Sequence, residues 1–270
     1  MSHEYGPYET LLVDRTDAGV ITLTLNRPDR GNAQTSTMFD ELELFARAAT
    51  ADREARVVIV TGAGKAFCAG YDLAGAAELP SMGVVAYLEL QERAARALTS
   101  VRAMRVPVIA AVKGACAGGG LALSLAADIR LAAPEAKFNA AFVRIGLSAG
   151  DLGTSWLLPR LIGTGAAAEI AFTGRIVFAD EAERLGLVNR VVREGDLLDA
   201  AHEMAAQIAA NSPAGIEISK RALRSNLEVG SYAAALDLEN RGQTLLTRTK
   251  DFEEALAAFV EKRPPVFHGE

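Results

Sequence analysis

Apolar residues fall into two periods along this chain. Val20, Thr22 and Thr24 alternate with Ile21, Leu23 and Leu25, and Leu11–Asp14 is another short run of β type. Asp17-Ala18-Gly19 between them predicts a hairpin turn. Asn26 to Asn32 reads as a loop. Met38, Leu42, Phe45 and Ala49 then recur at helical spacing, with Thr35 or Ser36 as the cap. Val57–Thr61 and Val108–Val112 are fully apolar strands, and a helix fits Val84–Ala103 between them. Each strand runs into a glycine cluster, Gly62–Gly70 and Gly114–Gly120. A short apolar helix over Leu121–Ala127 and a strand over Ile129–Ala133 follow the second cluster. Strand, helix and strand in so few residues predict stacked short turns, not the wide crossovers of a doubly wound nucleotide fold. A further Gly-rich loop, Gly146–Thr154, leads into a helix over Ser155–Leu161.

From Ala166 the pattern turns helical. Asp180 with Glu183 predicts a cap for a helix over Glu181–Leu185, and Gly186 ends it. Val188–Val192 is a last short strand. Leu197–Ala210, Pro213–Leu227, Tyr232–Thr247 and Phe252–Glu261 follow as helices, each bounded by Gly, Pro, Ser or Asp. The organisation expected is an α/β core over residues 1–200 and a helical region over 201–270.

Composition narrows the class. Half of the 270 residues are hydrophobic and 23% are charged, which excludes a disordered chain. The net charge of −6 offers no basic field for nucleic acid. Cys68 and Cys116 are too few for a disulfide scaffold, and with three His they make no metal cluster. The first ten residues carry His3, Glu4 and Glu9 rather than a basic stretch followed by an apolar one. The longest apolar stretch, Val106 to Ala133, is broken by Lys113, four glycines and Asp128, whereas a membrane helix needs about 20 unbroken apolar residues. The expectation is a cytoplasmic protein with reduced thiols and no membrane or nucleic-acid partner.

The candidate chemistry is sparse. Glycine clusters after strands allow close backbone approach to a ligand, and the start of the Leu121 helix presents N–H groups suited to an anion or to a carbonyl oxygen that becomes one. Tight packing between turns explains the same glycines. No nucleophile–base set is visible: His3, His202 and His268 lie near the termini or in the helical region, and Ser124 sits inside an apolar helix. No G-x-S-x-G, Walker A or G-x-G-x-x-G pattern occurs at these sites. Asp151 stands out as an acid in an uncharged loop, Leu147-Ser148-Ala149-Gly150-Asp151-Leu152-Gly153, with Phe138, Phe142 and Trp156 near it in sequence. Burial there would raise its pKa toward the range of proton transfer. A helix N-cap for Thr154–Leu161 is the competing reading.

Two segments together carry a resemblance. Gly64-Lys65-Ala66-Phe67-Cys68-Ala69-Gly70-Tyr71-Asp72-Leu73 resembles the G-x-A-F-x-A-G-x-D loop of the enoyl-CoA hydratase/isomerase (crotonase) family. Gly114-Ala115-Cys116-Ala117-Gly118-Gly119-Gly120-Leu121-Ala122-Leu123, ending in Asp128-Ile129-Arg130, resembles its triple-glycine signature. The similarity runs from Leu25-Asn26-Arg27-Pro28 to Phe259-Val260-Glu261-Lys262-Arg263. It implies a crotonase-like spiral of ββα turns with a helical C-terminal region that builds homotrimers, often paired as hexamers. It implies an acyl-CoA substrate and no cofactor beyond the coenzyme A that the substrate carries. By the motif, two backbone N–H groups that bind the thioester oxygen fall at Cys68 and Gly119. Lys65–Phe67, with Ala66 between, are implied to pass the adenine, and Arg27 to Arg30 the phosphates; Ala69, Gly70, Tyr71, Phe142 and Trp156 complete the substrate-binding set.

The departures from the family pattern matter as much. The positions of the two glutamates that enoyl-CoA hydratases use are Ala122 and Phe142 here, and neither moves a proton. Ala141-Phe142-Val143-Arg144-Ile145-Gly146-Leu147, Asp151 and Trp156-Leu157-Leu158-Pro159-Arg160 resemble instead the branch of epoxy-phenylacetyl-CoA isomerase. Dienoyl-CoA isomerases also carry an Asp in this loop. The loop here is one residue longer than theirs, so the match of Asp151 depends on where the extra residue is placed. The leading expectation is an isomerase in which Asp151 shuttles a proton beside an oxyanion hole. Hydratase or thioester hydrolase activity, and an acyl-CoA-binding scaffold of weak activity, remain open.

Overall fold

The structure, a computed structural model, describes residues 5–72, 74, 79–193 and 196–270. His3 and Glu4 of the N-terminal reading, and Leu73 at the end of the first motif, lie outside the described residues.

Strands β1 (Leu11–Arg15) and β2 (Val20–Leu25) form the expected hairpin. Parallel pairing then adds β3 (Val57–Gly62), β4 (Val108–Val112), β6 (Ile129–Ala132) and β9 (Arg190–Val191), giving a six-stranded sheet in the order β1-β2-β3-β4-β6-β9. Every residue of β3 and β4 is buried because both faces of the sheet are covered. Val58, Val60, Val108, Ala110 and Val112 face one core. Val57, Ile59, Ile109 and Ala111 face the other, an alternation that follows from the two-residue period of a strand.

On the first face lie α1 (Ser36–Ala51) and α2 (Val84–Ala103), which pack on each other. Thr35 caps α1 by accepting from the Met38 N–H. The second face is covered by α7 (Leu197–Ala209), whose Ala201 and Ala205 are fully buried against the sheet. Small residues there let the helix approach closely. Residue 200, the division expected from composition, falls inside this helix.

A second, three-stranded sheet, β5 (Ala115–Ala117), β7 (Lys137–Asn139) and β8 (Ile176–Phe178), was not visible in the sequence. Cys68 joins it through a parallel bridge to Cys116, so the second sheet ties the two glycine clusters together. Between β5 and β6 sits α3 (Gly119–Ala126), buried along its whole length. Then come α4 (Thr154–Ile162), α5 (Thr164–Thr173) and α6 (Ala179–Leu185). The expected capping box at α6 does not form. Phe178 is the N-cap with no side-chain bond, while Glu183 accepts from Val191 N–H and pairs with Arg193, as does Asp180. Gly186, in the left-handed region, does end the helix.

Three helices complete the chain: α8 (Pro213–Asn226), α9 (Tyr232–Leu246) and α10 (Lys250–Glu261). The first of them is clasped to the sheet by charge. Lys220, only 7% exposed, reaches the Val106 carbonyl and Asp128, and Arg224 binds the other oxygen of Asp128. Burial pulls the Lys220 ammonium down to about 8 despite its carboxylate partner. The architecture is α/β, a ββα core with a helical C-terminal region, as the sequence led one to expect.

Candidate active site

The two glycine clusters meet. Gly70 and Gly118 hold backbone conformations that L side chains rarely adopt, with φ of 108° and 51°. A Cβ on Gly70 would lie 3.0 Å from the Ala117 oxygen and 3.8 Å from the Gly119 nitrogen, so the arms touch at these residues. Gly118 is the N-cap of α3, which leaves the Gly119 N–H at the first helical position with no acceptor inside its own helix.

The other arm corrects one expectation. The Cys68 N–H, taken from the motif as a thioester-binding donor, donates to the Ala115 carbonyl at 3.0 Å, and Cys68 is fully buried. It is a sheet contact. Three residues on, Tyr71 forms a parallel bridge with Gln34 in which Gln34 N–H donates to the Gly70 carbonyl and Asp72 N–H to the Gln34 carbonyl. In such a bridge the N–H of the central residue points to the opposite side. The Tyr71 N–H is therefore directed away from Gln34, whereas its neighbours are not.

Gly70, Tyr71 and Gly119 line one cavity of about 210 Å³ together with Asp151. That volume exceeds the roughly 150 Å³ that accommodates a benzene ring. Its walls are mainly apolar: Phe39, Leu79, Leu90, Ala94, Phe142 and Leu147 all face it. Phe142 is 6% exposed, and its ring edge lies beside Gly118. Ala122, fully buried in α3, adds no polar group. Among the described residues, Asp151 is the only acid on the lining.

Asp151 is not a helix cap. The N-cap of α4 is Gly153, without a side-chain bond, and it is the Asp151 carbonyl that accepts from Thr154 N–H at 2.8 Å. Two consecutive left-handed residues, Leu152 at φ 47° and Gly153 at φ 81°, turn the chain back into α4. A leucine in that region is strained, and such strain persists where surroundings enforce it. Burial pushes the Asp151 carboxyl above the ordinary aspartate range, partly offset by a hydrogen bond from Leu152 N–H. Asp72, the rival acid, lies outside this cavity. It accepts from Ala74 N–H and pairs with Arg27 at 2.8 Å, which holds it below the usual carboxylate range.

The remaining expected residues divide. Arg27 donates to the Ala33 carbonyl and to Asp72, so it braces the loop. Arg30 and Lys65 are exposed. Their segments adjoin, since a Cβ on Gly64 would touch Pro28 at 3.0 Å. Ala66 gives its carbonyl to Asn32, and Ala69 lies on the cavity rim. Trp156 is not on the lining: it is 42% exposed on α4 with the Arg160 guanidinium 3.2 Å over its ring. The sequence reading missed Gln34, and also Tyr87, Leu90, Gln91 and Ala94, which line the cavity from one face of α2. Their helical spacing was the available signal. Among the described residues, no group of three or more His, Cys, Asp and Glu could hold a metal ion, and no helix is long and apolar enough to cross a membrane.

This architecture, two backbone arms around an apolar cavity with Asp151 on its lining, has known relatives. The chain belongs to the enoyl-CoA hydratase/isomerase family, whose model matches residues 15–270. It is an enzyme of that family, acting on acyl-CoA thioesters. It is 43% identical over 268 residues to probable enoyl-CoA hydratase echA12 of Mycobacterium bovis, covering 95% of this chain and 92% of that one. It is 36% identical to 1,2-epoxyphenylacetyl-CoA isomerase of Escherichia coli, over 96% of this chain and 98% of that one. The crystal structure of enoyl-CoA hydratase from Bacillus anthracis superposes with a TM-score of 0.91 at 36% identity, covering 97% of this chain and all of that one.

Proposed function

We propose that the enzyme isomerises an enoyl-CoA or related acyl-CoA by moving one proton with Asp151, through an enolate whose oxygen is held by the Tyr71 and Gly119 N–H groups. The observation that carries this is the composition of the cavity. Asp151 is its only acid among the described residues, and the hydratase glutamate positions are Ala122 and Phe142. Hydration by the family's usual route uses two carboxylates, one for water and one for the α-carbon. An allylic isomerisation needs one. The Asp151 carboxylate takes a proton from C2, the C–H electron pair passes into the thioester as a dienolate, and the same carboxyl returns the proton to C4. The two N–H groups carry the charge between the transfers, and each such donor supports about 3 kcal/mol of transition-state stabilisation.

The raised Asp151 pKa fits this role, since a base closer to neutrality releases its proton as readily as it takes it. The 36% identity to an isomerase supports this branch, while the relatives named as hydratases favour hydration as the second reading. In this reading Arg30, and Lys65 on the adjoining loop, both exposed, meet the CoA phosphates. A homotrimer or hexamer is proposed from Tyr232, Leu245, Phe259 and Val260, large apolar side chains left exposed on the last helices. Light scattering that found a monomer at micromolar concentration would rule that assembly out. Incubation with 3-enoyl-, 2-enoyl- and aryl-acetyl-CoA esters tests the reaction: a double-bond shift without mass change is expected, and a product heavier by one water would establish the hydratase reading.

A further inference from the structure

One residue touches both arms of the site and has no part in the reaction just described. Gln34 is fully buried. Its main chain holds the first arm from both sides of Tyr71, donating to the Gly70 carbonyl at 2.7 Å and accepting from Asp72 N–H at 2.9 Å. Its side chain crosses to the second arm, where Nε2 donates to the Gly119 carbonyl at 3.1 Å. The other side-chain atom, Oε1, has no hydrogen-bond partner and occupies the place of a Cβ on residue 119, 2.0 Å from where that atom would stand.

This pattern is not what packing alone would select. The surrounding wall is apolar, and a buried acceptor without a partner costs free energy. A methionine or leucine would fill the same space without that cost. The amide is explained by what its donor does. It fixes Gly119 relative to Gly70 and Tyr71, through a bond that reaches 85 residues along the chain. Oxyanion stabilisation depends on donors set in advance at the right spacing, and small misplacement is expensive.

We propose that Gln34 is a positioning residue that sets the separation of the Tyr71 and Gly119 donors. The inference rests on the reading of those two N–H groups as the thioester-oxygen site. It does not depend on whether the reaction is isomerisation or hydration. It also predicts that a side chain at residue 119 would displace the Gln34 amide, whose Oε1 lies 2.0 Å from the place of a Cβ there.

The test uses the full-length enzyme with cinnamoyl-CoA, whose ultraviolet band moves to longer wavelength when its thioester carbonyl is polarised. Wild type is expected to show that shift on binding. Gln34→Met is expected to bind the ester within about twofold of wild type, to lose most of the shift, and, with a 3-enoyl-CoA as the turnover substrate, to lower kcat by about tenfold or more with KM little changed. Gln34→Leu, which also lacks the donor, serves as the second variant should the first not fold. A variant that is merely less heat-stable, with the shift and kcat of wild type, overturns the proposal. Wild-type binding with no shift at all would instead refute the oxyanion site itself.

Discussion

The two walls of the cavity are built in opposite ways. The backbone wall is over-determined. Cys68, Gly70, Asp72 and Ala117 all spend main-chain groups on neighbouring segments, and α3 behind them is buried throughout. The acid wall is a loop with little behind it. Val143, Ile145 and Leu147 are exposed, and Asp151 is held by a strained turn and a hydrogen bond from its own neighbour. The difference matches the two tasks. Oxyanion donors act by staying where they are. An acid that takes a proton at one carbon and returns it at another, as proposed for Asp151, needs some latitude, and a loop supplies it.

The backbone wall should break hardest. A Cβ on Gly120 would stand 2.1 Å from the Cys68 carbonyl oxygen, main chain against main chain. Gly120→Ala must push the arms apart. We expect a loss of about 100-fold in kcat from a displaced donor, with a fall in Tm reflecting about 1–3 kcal/mol of overpacking strain, measured by steady-state kinetics and thermal melting.

The acid wall should behave in the reverse sense. A carboxyl whose pKa is raised on folding destabilises the fold once ionised. That penalty is absent below the unfolded value of about 3.9, grows as pH rises through it, and is complete above the higher folded value. Asp151→Asn should therefore melt above wild type at neutral pH and together with it in strong acid. Equal melting temperatures at every pH would show that burial of Asp151 carries no cost. The acid limb of kcat/KM should sit above the ordinary aspartate range for the same reason.

The rim should matter least. Arg30→Ala with Lys65→Ala should raise KM by about three- to tenfold at low salt, leave kcat unchanged, and approach wild type at high salt as screening removes the contribution.

What could be read in the sequence follows this division too. β2 and α1 were legible because burial on a sheet or helix face writes a repeat into the residues, and β3 and β4 because burial on both faces makes an unbroken apolar run. The strands of the second sheet have three residues each, and β5 lies inside a glycine cluster, so no period could develop. The motif located the loop proposed to carry the first donor but not which of its N–H groups is directed away from its neighbours. Along an extended segment the N–H direction reverses at each residue, and only the partners Ala115 and Gln34, distant in sequence, decide between Cys68 and Tyr71. Asp151 was legible as an isolated acid among apolar residues. Its freedom from capping was not, because that depends on the left-handed Leu152. Trp156 was expected near the site for its place in the chain, yet α4 turns it outward.

The proposed mechanism has one carboxylate carry the proton both ways. A 3-enoyl-CoA deuterated at C2, turned over in ordinary water and followed by mass spectrometry and NMR, tests it most directly. The expected product is 2-enoyl-CoA with part of the deuterium delivered to C4, and Asp151→Asn should turn over more slowly by about 100-fold or more, with ester binding intact. A hydrated product, or full turnover with label transfer in Asp151→Asn, would contradict it.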